Sequence, residues 1–225
     1  MALAYNTKIV RDGLVLHLDA ANVKSYPGSG TTWTDMKGSV AGSMNGGIVY
    51  TDAESGAMIF DGTDDNCEFN LNGNVNVSQG TTICFWVYRE STSTSQKNII
   101  STRFGGGGGQ LYIGSRSNQI FSYYNGLSTP DFVATSWPRL KHVYLVVRLN
   151  NDGSITHISY SDSGREENTS PVRTGFSSGD NNLLKLSGDL EYFEGKMYGV
   201  QWYNRELMDS EIQQNFFAYR GRYGI

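Results

Sequence analysis

Apolar residues along this chain recur mostly at every second position, in short runs bounded by Gly, Asn or Asp. The clearest run is KHVYLVVRL (141–149). There Val143, Leu145, Val147 and Leu149 share one face, and His142, Tyr144 and Arg148 alternate with them. The turn NNDG (150–153) closes in Asp-Gly, and ITHISYSD returns as its partner strand. The same signature predicts strands at LVLHL (14–18), MIF (58–60), NCEFNL (66–71) and TTICFWVYR (81–89). NIISTRF and QLYIG form a predicted hairpin with a flexible connection at Gly105–Gly109, and QIFSYY and DFVAT continue the meander. NLLKLSG and KMYGVQWYN supply the last strands, with Tyr198, Val200 and Trp202 expected on one face.

The period changes once. In LMDSEIQQNFFAYRG, Leu207, Ile212, Phe216 and Tyr219 recur at helical spacing, and Gly221 is expected to end the element. Acidic Asp209 and Glu211 fall in its first turn, where the helix dipole favours them. A polar stretch, DAANVKSYPGSGTTWTDMKG, follows the first strand, and its Tyr26 and Trp33 are expected to anchor an irregular loop. Many short strands with regular turns and one helix predict an all-β, two-sheet antiparallel, jelly-roll-like sandwich with one short C-terminal helix. With no linker or composition break, residues 1–225 read as a single domain.

Composition agrees with that reading: 27 Gly and 14 Tyr against only 18% charged residues suit strands and turns rather than long helices. The net charge of −4, with Lys and Arg scattered, argues against nucleic acid as a partner. No apolar segment is long enough for a membrane helix. The opening MALAYNTKIVRDG does not read as a signal peptide, so a protein without export is expected. Cys67 and Cys84 lack zinc spacing and are expected to be reduced.

Three groups of residues invite chemistry. FDGTDDN (60–66) places Asp61, Asp64 and Asp65 together. They are either the punctuation of a hairpin, with the carboxylates taking local backbone hydrogen bonds, or oxygen ligands for Ca²⁺. Tyr123, Tyr124, Asn125 and Trp137 could form a sugar platform, rings covering an apolar sugar face and amides meeting hydroxyls, or could simply serve the core. The tail RGRYGI (220–225) combines Arg220, Arg222 and Tyr223, a composition suited to docking on the chain's own sheet or on a neighbouring subunit. His17, His142 and His157 each stand alone in a strand, away from any recognisable nucleophile motif.

GLVLHLDAANVKSYPGSGTTWTDMKG, IFDGTDDN, ICFWVY and VQWYNRELMDSEIQQNF occur in the order that laminin-G-like domains show. In these segments the chain resembles that family, within the concanavalin A-like lectin/glucanase superfamily. The opening and the closing FAYRGRYGI resemble more narrowly a stand-alone type from tailed-phage particles. That resemblance implies a concanavalin A-like fold and a non-enzymatic virion protein decorating a head, neck, tail or fibre. It also implies contacts with other phage subunits, including copies of itself, and assembly in the host cytoplasm. The alternative it leaves open is a lectin-like module for glycans. It also implies calcium at loops on the sandwich rim. Where the family places a capping Ser this chain has Met208, and Asp209 is expected to cap one residue later. DLEYFE sets Asp189, Glu191 and Glu194 at the spacing of the retaining glucanases of this fold. The first and middle residue types are exchanged, however, so a glycoside hydrolase is the remote alternative.

Overall fold

In a computed structural model, residues 8–38, 40–71, 76–77, 80–104, 110–124, 131–172, 179–188 and 191–225 are described. The strands are β1 (Leu14–Asp19), β2 (Thr32–Thr34), β3 (Ala41–Asn45), β4 (Val49–Thr51), β5 (Ala57–Asp61), β6 (Asn66–Asn70), β7 (Asn76–Val77), β8 (Thr81–Arg89) and β9 (Lys97–Phe104). They continue as β10 (Gln110–Arg116), β11 (Gln119–Tyr124), β12 (Asp131–Ser136), β13 (His142–Leu149), β14 (Ile155–Ser161), β15 (Gly164–Thr169), β16 (Gly179–Leu186) and β17 (Glu194–Tyr203), and the chain closes with helix α1 (Asp209–Tyr223). Among the described residues no helix is long and apolar enough to cross a membrane.

These strands make two antiparallel sheets. The first runs β15-β14-β13-β8-β17-β5-β4, with β1 also paired to β17. The second runs β12-β11-β10-β9-β16-β6-β3-β2, with β7 on β16. The alternation in β13 explains the layers. Val143, Leu145, Val147 and Leu149 enter a core between the sheets, while Tyr144 and Val146 enter a second core under α1. The first sheet is thus buried on both faces, which is why β8 reads as a nearly unbroken apolar run.

Several expectations change in the folded chain. Tyr198 does not share a face with Val200 and Trp202: the register against β8 shifts between Met197 and Gly199, so Tyr198 joins the second core and the other two the first. Gly199 permits this, because a Cβ there would lie 2.7 Å from the Leu18 carbonyl oxygen. FDGTDDN is not a hairpin, since β5 and β6 lie in different sheets and the segment crosses between them.

Helix α1 runs through Gly221 to Tyr223 and ends at Gly224, whose φ of 69° is the left-handed cap conformation. Its first residue is Asp209, so the expected shift of the cap is not seen. The Glu211 carboxylate accepts the Met208 N–H at 2.9 Å and is gripped by Arg205 at 2.6 and 2.8 Å. Asp209 instead accepts Arg148 at 2.9 Å. The polar stretch after β1 is anchored by Tyr26 and Trp33, both buried, but it also contains β2. The Gly105–Gly109 connection lies outside the described residues.

Candidate functional site

Helix α1 covers the outer face of the first sheet. The outer face of the second sheet carries a cross-strand row in which Thr32, Ser43, Glu68, Lys185, Ser101, Tyr112 and Tyr123 stand opposite one another on successive strands. Period two sets this facing: Leu184, Leu186, Cys67, Ile100 and Ile113 flank the row in sequence and point into the core. Tyr112 and Tyr123, both half-buried, bring their ring centroids to 6.0 Å. Lys185 pairs with Glu68 at 2.7 Å. Two rings in one row with an ion pair can meet the apolar face and the hydroxyls of a sugar, with the buried Ser101 between them.

Of the expected sugar platform, Tyr123 fits this arrangement. The backbone of Tyr124 pairs with that of Leu111, and Asn125 lies outside the described residues. Trp137 must be corrected. It is fully buried, stacks on Phe193 at 5.9 Å, and offers its carbonyl to Arg89 at 2.9 Å, so its ring serves the core rather than a ligand surface. Sequence reasoning missed Tyr112, because its place beside Tyr123 depends on the register of β10 against β11.

The crossing between β5 and β6 gathers Asp61, Asp64 and Asp65, each offering a carboxylate oxygen within 4.8 Å of the others. Asp61 Oδ1 accepts the Thr63 N–H at 2.8 Å, and Asp65 Oδ2 accepts the Asp61 N–H at 2.8 Å. The local turn bonds of the first reading are therefore present. Asp61 and Asp64 are exposed, but Asp65 is buried, and its Oδ1 has no hydrogen-bond partner among the described residues. Burial, then the neighbouring Asp61 and Asp64 charges, push the Asp65 carboxyl above its ordinary range. An orphaned buried carboxylate oxygen in a crowd of like charges fits a hard cation.

Glu191 and Glu194 are not aligned along one strand. Glu191 lies in a bend before an isolated bridge at Tyr192, Glu194 begins β17, and Asp189 is outside the described residues. Of the docking residues, Arg222 and Tyr223 are turned onto the chain's own sheet. Tyr223 is buried against Trp86 and Tyr198 at 4.5 and 4.7 Å, and Arg222 grips the buried Asp19 carboxylate at 3.0 and 3.1 Å. Arg220 is exposed and lies over Phe216 and Phe217.

The histidines bond within the fold. His17 Nε2 lies 3.1 Å from Tyr219 Oη, His142 Nε2 2.8 Å from Tyr198 Oη, and His157 Nε2 2.9 Å from Ser122 Oγ. Burial lowers the pKa of all three, that of His157 to about 3.

Two facing antiparallel sheets with helix α1 against one of them define a concanavalin A-like sandwich. The chain belongs to the laminin G-type family described as Concanavalin A-like lectin/glucanases superfamily, whose family model matches residues 61–213. A comparison with curated proteins found no match. Among solved structures, the chain is similar to a Trypanosoma rangeli sialidase in complex with the inhibitor DANA (TM-score 0.67, 14% identity). That match covers 98% of this chain and only 35% of the sialidase. It is also similar to domain 4 of AbnA, a GH43 extracellular arabinanase from Geobacillus stearothermophilus, in complex with arabinotriose (TM-score 0.66, 15% identity; 93% of this chain, 100% of that domain). A third is the botulinum neurotoxin type G receptor binding domain (TM-score 0.60, 15% identity; 91% of this chain, 51% of that one). Likeness at these identities shows the fold.

Proposed function

We propose that the chain is a non-catalytic carbohydrate-binding module that lays a glycan across the outer face of its second sheet. The Tyr112–Tyr123 ring pair, set in a row with the Lys185–Glu68 ion pair, carries this reading. The arabinanase domain supports it, since it is matched along its whole length and holds arabinotriose. A non-catalytic role is supported by the break between Glu191 and β17, because a double displacement needs two carboxylates fixed about 5–5.5 Å apart.

The test is binding of arabinotriose and a glycan array by the wild type and by Tyr112→Ala and Tyr123→Ala. At least one glycan should bind, and each variant should weaken it about tenfold, ~1.4 kcal/mol for a lost ring contact. Binding that survives both substitutions, or no binding at all, would overturn the site.

Asp61, Asp64 and Asp65 are assigned in the same reading to one Ca²⁺, which would neutralise their mutual repulsion and fix the β5–β6 crossing. Millimolar Ca²⁺ should raise the melting temperature relative to chelator, and Asp64→Asn should remove that increment. An identical melt with and without calcium would leave these residues as a turn.

A second reading, a decoration subunit on a phage particle in contact with other virion subunits, is supported by the resemblance of SYPGSGTTW and FAYRGRYGI. Electron microscopy of particles with an antibody to this chain tests it, and unlabelled particles would count against it.

A further inference from the structure

Beyond the glycan row on the second sheet, we propose that a basic groove beside β1 binds a small organic anion, a carboxylate or phosphate monoester on a body no larger than about two sugar rings. The groove has a volume of about 640 Å³, within the ~300–1,000 Å³ that small-molecule sites span. Leu14 and His17 of β1 form its floor, Ala218, Tyr219 and Arg222 of α1 one wall, and Met36 with Lys37 the other. Lys8, Ile9 and Arg11 close one end.

The chain builds these walls with defined bonds. The main chain after β2 runs beside β1, with the Met36 N–H donating to the His17 carbonyl and Asp35 Oδ1 accepting the His17 N–H, both at 2.8 Å. The N-terminal segment is tied to α1, with the Val10 N–H donating to Asn215 Oδ1 at 2.8 Å and Gln214 Nε2 to the Lys8 carbonyl at 2.6 Å.

The charges carry the inference. Lys8, Arg11, Lys37 and Arg222 line the groove, and among the described residues no carboxylate does. The acids behind it are buried and already engaged: Asp19 holds Arg222 and the Ala21 N–H, and Asp35 takes the His17 amide. Asp12, beside Arg11 in sequence, pairs with Arg205 at 2.9 Å. Lys8, Arg11 and Lys37 are exposed at the groove, so it is positive on a chain whose net charge is −4. The Lys37 ammonium is positioned by a 2.6 Å bond to the Leu14 carbonyl and keeps donors to spare. Ile9, Leu14, Met36 and Ala218 supply apolar contact, so the pocket suits an anionic group on a compact body better than a bare inorganic ion.

Calorimetric titration of the full chain with glucuronate, glucose 6-phosphate, inorganic phosphate and neutral glucose tests this. Glucuronate or glucose 6-phosphate should bind saturably, more tightly than inorganic phosphate, while glucose should not bind. Whichever of the two binds better identifies carboxylate or phosphate as the group taken. The double variant Lys8→Gln/Arg11→Gln changes only exposed side chains and should weaken binding tenfold or more. Ala218→Glu, which adds a carboxylate to the helix wall, should abolish it, and the melting temperature of each variant will report that the fold is intact. Tyr112→Ala and Tyr123→Ala should leave anion binding unchanged, which separates this groove from the glycan row. No saturable binding of either sugar anion, or equal binding by the folded double variant, would overturn the proposal.

Discussion

His157 shows how a single side chain ties the two sheets together and what that costs in acid. It sits on β14, reaches Ser122 on β11 at 2.9 Å, and is fully buried, with its pKa lowered to about 3 from an ordinary 6.5. Above pH 6.5 both folded and unfolded chains hold it neutral, so its contribution is fully present there. As pH falls below 6.5 the unfolded chain takes up a proton that the folded chain refuses, and stability drops by up to ~1.4 kcal/mol per pH unit. Thermal melts from pH 7.5 to pH 5 should therefore show a falling Tm. His157→Gln should be less stable at pH 7.5 but shallower in slope; His17 and His142, also lowered, account for the slope that remains. An unchanged slope in His157→Gln would show that this residue is not the acid-sensitive one. The cysteines obey the same physics in the other direction. Cys67 lies in the core between the sheets and Cys84 in the core under α1, and burial pushes Cys84 up to about 12 and Cys67 higher still. Both thiols should be inert to a thiol reagent in the native protein and both should react after denaturation; fewer than two in the denatured, unreduced chain would contradict their assignment as free.

At the scale of elements, alternation was legible wherever a strand is regular, and it failed where a strand is bent. β8 and β13 could be bounded from their patterns, because they hold one register against each other over their whole length. β17 could not be read face by face, because the shift beside Gly199 turns Tyr198 to the opposite side, and a bulge depends on the partner strand rather than on local sequence. FDGTDDN was legible as a turn and as three acids, but the sheet that each flanking strand joins is decided by pairings far along the chain, β5 with β17 and β6 with β16. The row proposed to meet a glycan was hidden for the same reason, since it draws on strands scattered from β2 to β16. Gly199→Ala tests the bulge. Its Cβ would press on the Leu18 carbonyl at 2.7 Å, so β1 must move off β17, at about 1–3 kcal/mol. Gly221→Ala is the control of opposite sign, because nothing lies within 4 Å of that Cβ inside α1, and stability should rise by about 0.5–1 kcal/mol. Denaturant midpoints will distinguish the two, and a neutral Gly199→Ala would remove the steric account of the bulge.

The whole molecule is built as three layers, with the first sheet shared by two cores. Phe85 and Val87 of β8 enter the core between the sheets, while Cys84 and Trp86 enter the core under α1. The outer layer is therefore not an accessory. Phe216 of α1 lies 4.4 Å from Tyr160 and 5.8 Å from Trp86, ring centroid to centroid, and Tyr223 is 4.5 Å from Trp86. Losing the helix would expose an aromatic face on the same strands that form the inner core, which ties the two layers into one folding unit. Phe216→Ala should cost about 3–5 kcal/mol, the usual price of a buried ring. The transition should also stay single. Trp86 reports the outer core and Trp33, Trp137 and Trp202 the inner one, so fluorescence of the wild type and of Trp86→Phe/Phe216→Ala can be compared with far-UV circular dichroism. Coincident midpoints are expected for each protein, shifted together to lower denaturant in the double variant. If helix and outer-core signals are instead lost well before the strand signal, α1 is a detachable layer and the shared sheet does not couple the two cores.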